Sequence, residues 1–169
     1  MMRNVEIKAK IRNLQGIVSK AKQLSKSDGE FIKQDDIFFK VPQGRLKLRT
    51  YENKAADLIF YNRPDGDGPK LSEYQICKFE EGSQISSLLS QALGVKGQVK
   101  KDRLLFLVGQ TRVHIDHVED LGDYMELEVV LSEDQTLEQG QEIAEKLMAE
   151  LGVEKSDLIS GAYMDLLLK

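Results

Sequence analysis

The chain has 169 residues, 41% of them hydrophobic and 31% charged, with a formal net charge of −4. That is the size of one domain with its own core, read here as spanning 1–169, and too apolar for a disordered chain. The acidic balance excludes a general nucleic-acid binder, whose footprint is a basic face, although a small basic cavity can hide inside an acidic protein.

The chain opens on a strand, 3–10, in which Asn4, Glu6, Lys8 and Lys10 share one face and Val5, Ile7 and Ala9 the other. A helix follows over 12–25, with Leu14, Ile17, Val18, Ala21 and Leu24 on one stripe. Strands are then expected at 31–40, 45–51, 57–64 and 73–79, separated by the turns "VPQG" (41–44) and "DGDGPK" (65–70). A second helix, 81–93, carries Ile85, Leu88, Leu89 and Ala92 and stops at Gly94. Three strands come next, at 102–108, 111–118 and 123–131, turned by "VGQ" and "EDLGD". The third helix, 136–151, bears Leu137, Ile143, Ala144, Leu147, Met148 and Leu151, and a short fourth is expected to start at Ser156 as its N-cap. The three main stripes read as core. With about eight strands and mostly short connections, the sheet is mainly antiparallel.

The one cysteine, Cys77, excludes an internal disulfide and fits a reducing compartment. With two histidines beside it, the usual Cys/His zinc site lacks ligands, so a metal here is expected to be a hard cation on carboxylates. No apolar run reaches the roughly 20 residues of a membrane span, and "MMRNVEIKAK" has no signal-peptide core. The expectation is a cytoplasmic protein with no membrane partner.

The first strand's charge alternation recurs. Arg45, Lys47 and Arg49 alternate with leucines, Arg112, His114 and Asp116 with Val113 and Ile115, and Glu126 and Glu128 with Met125, Leu127 and Val129; Lys101 and Arg103 also stand two apart. An open sheet with one solvated face explains any single strand. Several strands each holding like charges on one face fit better in an α+β fold built on a closed antiparallel barrel, apolar side chains outward under helices and charges inward. Such an interior needs a partner, because buried charges must be paired. A polyanion with a divalent metal satisfies both signs, basic strands taking phosphate oxygens and carboxylates taking the metal.

The motifs "NVEIK", "LKLR" (46–49), "KDR" (101–103), "VHIDHVEDLGDYMELE" (113–128) and "SGAYMDLLLK" (160–169) resemble, in order, those of the CYTH superfamily of triphosphate tunnel metalloenzymes, whose first strand reads Glu-x-Glu-x-Lys. Its members include class IV adenylate cyclases, thiamine triphosphatases, inorganic tripolyphosphatases and fungal RNA triphosphatases. The resemblance implies an eight-stranded tunnel holding a triphosphate-containing small molecule, ATP or tripolyphosphate. It implies Mg²⁺ or Mn²⁺ on Glu6, Glu126 and Glu128 with Asp116 beside them, and phosphate contacts from Lys8, Lys47, Arg49, Lys101 and Arg103. Lys8 and Asp116 are its catalytic candidates.

Three departures bear on the reaction. Asn4 replaces the family's first glutamate and removes one charged ligand. Asn62 stands where many members have a tunnel lysine, and the parity of Arg63 points it to the opposite face. Phe38 and Phe39 stand where triphosphatases have tyrosines, one of which pairs with the first-strand lysine to activate water. The chain also lacks the tryptophan of thiamine triphosphatases. The pair of phenylalanines resembles class IV cyclases, so adenylate cyclase chemistry leads; a triphosphatase and a binding module without turnover stay open. His114 and His117 read as structural, lacking a partner at metal-ligand spacing, and Tyr163 as packing for the last helix. An apolar strip on 136–151 or an unclosed barrel edge would support a homodimer.

Overall fold

The computed structural model describes residues 2–64 and 68–168, so the turn expected at 65–70 lies in part outside the described residues. Eight strands close into an antiparallel barrel. They are β1 (Met2–Lys10), β2 (Glu30–Phe39), β3 (Arg45–Tyr51), β4 (Ala56–Asn62), β5 (Lys70–Phe79), β6 (Val95–Val108), β7 (Thr111–Val118) and β8 (Gly122–Val130). Around the barrel the order is β1-β5-β4-β3-β2-β6-β7-β8, with β1 closing the ring between β5 and β8. The strand expected at 102–108 begins at Val95. Gly97 and the lysines of "VKGQVKK" are poor strand formers, and pairing with β2 from Gly97 through Leu105 overrides that preference.

The helices are α1 (Leu14–Ser25), α2 (Ser83–Leu93), α3 (Leu137–Glu150) and α4 (Tyr163–Leu167). Asn13 caps α1 by accepting from the Gly16 amide, and Thr136 and Gln139 cap α3 reciprocally. The fourth helix lies later than expected: 155–157 is a single 3₁₀ turn, and α4 begins after Ala162.

The main core sits outside the barrel wall. Val5, Ile7 and Ala9 of β1 pack with Val113, Ile115, Met125 and Leu127 under Ile17 and Ala21 of α1 and Ala144 and Leu147 of α3. At Gly140 a Cβ would stand 2.6 Å from Val5 Cγ2 and 2.7 Å from Leu131 Cδ2, so glycine is what lets α3 reach the wall. The stripe of α2 is the exception to the expected helix core. None of its residues is buried, Leu88 is 60% exposed, and only Ile85 and Leu89 reach the small cluster of Phe39, Leu48 and Ala56. Closure also removes the unpaired sheet edge expected to support a dimer, and the stripe of α3 packs on the wall except at Leu137, which is exposed. Among the described residues no helix is long and apolar enough to cross a membrane.

Candidate active site

With the apolar faces turned outward, the polar faces line a tunnel. Asn4, Glu6 and Lys8 are nearly as buried as Val5, Ile7 and Ala9 beside them. Register then sets which charges meet. Glu6 stands opposite Glu128 and Lys8 opposite Glu126 across β1–β8; His114 stands opposite Glu126 across β7–β8; Arg103 faces Asp116 across β6–β7. All five expected phosphate-binding residues and all three expected metal ligands line this lumen.

The cations gather on one arc. Arg49 donates from Nε and Nη2 to the two oxygens of Asp36, both at 2.8 Å, and Lys101 Nζ donates to the same carboxylate at 2.7 Å. Lys47 Nζ lies 3.8 Å from it. Burial works against a charged Asp36, yet Arg49, Lys101 and Lys47 hold its carboxyl well below the usual range. Burial also drives Lys47 down to about 7, with Arg49 adding to it, and Lys101 down to about 8 despite Asp36. Asp36 was not legible as a site residue. The alternation of "QDDIFF" did place Gln34, Asp36 and Phe38 on one face, but a lone acid among basic strands carries no signal of its own. Of the two phenylalanines, Phe38 lines the lumen and Phe39 packs outside.

Further along, Arg103 holds both oxygens of Asp116 at 2.8 and 2.9 Å, and the Tyr163 hydroxyl donates to Asp116 Oδ2 at 2.8 Å. Asp116 thus spends its carboxylate on Arg103 and Tyr163, with Glu126 near enough for its charge to act on it. Tyr163 does more than pack α4: its ring lies under Lys8, with Nζ 4.1 Å from the centroid. Burial raises the Tyr163 phenol well above its ordinary range and Asp116 adds to that, so the phenol keeps its proton and donates it to Asp116.

Arg63 corrects the parity reading. β4 ends at Asn62, so the two-residue period no longer applies, and the guanidinium turns inward to Glu6 Oε2 at 3.1 Å and the Gly161 carbonyl at 3.2 Å. Lys8 Nζ donates to the same carbonyl at 3.3 Å. Asn62 is exposed, and Arg63 is the cation that the end of β4 sends into the lumen.

Carboxylates gather on the facing side. Burial opposes a charged Glu126, but Lys8 and Arg103 hold it well below its ordinary range, with Lys8 Nζ 3.8 Å and Arg103 Nη2 3.6 Å from Oε1. Glu128 goes the other way, raised by burial and by Glu6 and Glu126. His114 Nε2 lies 3.5 Å from Glu128 Oε1, and burial together with Arg103 lowers the imidazole to about 4, so it is neutral. One ligand atom from each of His114, Glu126 and Glu128 falls within 4.8 Å of the others, which corrects the expectation that His114 has no partner at ligand spacing. His117 is exposed and bonded to Asp123 at 2.8 Å, a structural contact. Two buried atoms here, Asn4 Oδ1 and His114 Nδ1, have no hydrogen-bond partner. Crowded carboxylates beside unspent donors are what a divalent cation fits.

A CYTH domain model matches residues 2–163. The chain belongs to the CYTH domain family. A protein of Methanocaldococcus jannaschii named putative adenylate cyclase is 28% identical over 98% of both chains. Among solved structures, the PH1012 protein of Pyrococcus horikoshii superposes with a TM-score of 0.84 at 21% identity, covering 96% of this chain and 98% of its own. A putative adenylate cyclase from Vibrio parahaemolyticus gives 0.80 at 19% identity over 98% of each. The Pct1 RNA triphosphatase of Schizosaccharomyces pombe gives 0.53 at 12% identity over 89% of this chain and 79% of that one. At these identities the solved structures share the CYTH barrel and carry no more than the fold. The lumen of this CYTH domain holds Asn4, Phe38 and the inward Arg63, and His114 stands among the carboxylates.

Proposed function

We propose that this CYTH domain binds a nucleoside triphosphate with Mg²⁺ or Mn²⁺ and converts ATP to cyclic AMP and pyrophosphate. The observation that carries the reading is the opposition, inside one closed lumen, of a cation arc on Asp36 and Asp116 to a carboxylate belt of Glu6, Glu126 and Glu128. A triphosphate would displace Asp36 as partner of Lys47, Arg49 and Lys101, and Arg103, held in plane by Asp116, would take a further oxygen. A divalent cation on the carboxylates would neutralise phosphate charge as the reaction proceeds. Asp116 then acts by orienting Arg103 and Tyr163, and Lys8, between Glu126 and the Tyr163 ring, is the cation placed at the reacting phosphate.

In cyclisation the ribose 3′-hydroxyl gives its proton to solvent, its oxygen attacks the α-phosphorus, and the bond from that phosphorus to the oxygen bridging to the β-phosphate breaks, releasing pyrophosphate. That requires positioning more than a base that activates water. Two observations favour it over hydrolysis: Phe38 offers no hydroxyl, and Tyr163, although beside Lys8, has its phenol held protonated against Asp116. The β4–β5 wall adds Ile59, Tyr61, Tyr74 and Ile76, an apolar surface suited to a base and of no use to linear tripolyphosphate. The Lys8–Tyr163 contact is what favours the second reading, a triphosphatase acting on tripolyphosphate or a nucleotide.

The test is incubation of the pure protein with ATP and Mn²⁺ or Mg²⁺, products resolved by anion exchange, with Glu126→Ala as control. Cyclic AMP and pyrophosphate, lost in the variant, are expected. ADP and phosphate would move the assignment to triphosphatase. Intact ATP and intact tripolyphosphate with metal-dependent binding would leave a module that grips without turnover.

A further inference from the structure

We propose that His114 is itself a metal ligand, completing a site with Glu126 and Glu128, and that this nitrogen donor makes the site prefer a divalent transition ion of the manganese-to-zinc series over magnesium. The inference rests on the metal reading above and goes beyond it by naming a ligand and a class of ion.

The geometry follows from register. His114 and Glu126 are directly opposed across β7–β8, and Glu128 lies two residues on along the same face. Side chains so related point into the lumen together, and their ligand atoms lie within 4.8 Å of one another. Atoms bound at about 2.1 Å from one cation stand at most about 4.2 Å apart, so inward shifts of a few tenths of an ångström by each side chain close the set. The ring is 4% exposed, and its Nδ1 has no hydrogen-bond partner. A buried histidine that only fills space ordinarily spends its polar atoms on hydrogen bonds. This one turns Nε2 toward the carboxylates, 3.5 Å from Glu128 Oε1, where a shared cation rather than a hydrogen bond would join them.

The donor set decides the ion. Magnesium is held through oxygen and keeps most of its water, whereas imidazole with carboxylate suits the later divalent ions. Asn4 pushes the same way. Where the family motif supplies a further carboxylate, this chain has an amide whose buried Oδ1 has no partner, so charge favouring a hard cation has been withdrawn while a softer donor stands at His114.

The experiment titrates the full-length protein with Mn²⁺ alone, following free Mn²⁺ by electron paramagnetic resonance and the bound ion by its pulsed nitrogen couplings. We expect one site, abolished by Glu126→Ala, showing coupling to an imidazole nitrogen. Selective ¹⁵N-histidine labelling should change that coupling without any substitution, which removes the risk of a misfolded variant, and His117 stands exposed on the far side of β7. His114→Gln should weaken Mn²⁺ by at least about tenfold, since even outer partners of a metal ligand are worth that much, and leave Mg²⁺ affinity little changed. Mn²⁺ bound at a Glu126-dependent site with no nitrogen coupling would overturn the assignment of His114 and leave the metal reading intact. No Glu126-dependent Mn²⁺ binding at all would overturn both.

Discussion

Asp36 holds three cations at once while itself 1% exposed. Removing one partner of a buried ion pair leaves the other charge uncompensated, which typically costs about 3–5 kcal/mol. Asp36→Asn should therefore lower the thermal midpoint of the ligand-free protein sharply, and tripolyphosphate should restore most of the loss by replacing the missing anion. Loss without rescue in calorimetry would mean that the cations are not disposed to accept phosphate. Lys47 gives a second test. Its ammonium is lowered to about 7 by burial and Arg49, below its unfolded value, so the folded state binds fewer protons than the unfolded one between about 7 and the ordinary lysine range, and its contribution to stability rises with pH across that window. A bound phosphate favours the charged form and reverses the shift. Polyphosphate binding near pH 8 should therefore take up protons, seen as a dependence of the calorimetric binding heat on the buffer's ionisation enthalpy, and the dependence should fade near pH 6.

Among the elements, α3 stands closest to the wall. Gly140→Ala would drive a methyl into Val5 and Leu131, and overpacking of this kind costs about 1–3 kcal/mol. Denaturant unfolding should register that loss while Mn²⁺ affinity is unchanged, because α3 meets only the outer, apolar faces of β1 and β8. The strands were the most legible elements. β3 and β7 match their expected limits because alternation runs unbroken through "RLKLRTY" and "TRVHIDHV". The same period put Glu6, Lys8, Lys47, Arg49, Lys101, Arg103, Glu126 and Glu128 on one face, and the lumen holds them all. What stayed hidden came from outside that period. Arg63 follows the last residue of β4, and Tyr163 arrives from a helix far along the chain. Asp36 and His114 lay on legible faces, but their partners sit on other strands, and only pairing register reveals them.

At the scale of the whole molecule, charge is stored inside and apolar surface is covered from outside. A cation bound by the native tunnel and not by the unfolded chain stabilises by mass action, by about 2.7 kcal/mol at a hundredfold excess over Kd. Mn²⁺ should therefore raise the melting temperature, EDTA should return it, and Glu126→Ala should respond to neither; equal shifts in that variant would place the ion elsewhere.

The seam of the barrel has a consequence for the protein's synthesis. β1 is made early, yet it is held on one side by β5 and on the other by β8, with Asn4 paired to Val130. Glu6 lies on one side of that seam and Glu126 and Glu128 on the other. Until β8 has been made the carboxylates cannot converge, and nascent β1 must wait with an unpaired edge for partners more than a hundred residues downstream. Competence to hold a metal or a polyanion thus arrives in one step with β8 rather than growing with chain length, and a product truncated before β8 carries the cations of β3 and β6 without the carboxylates that complete the site.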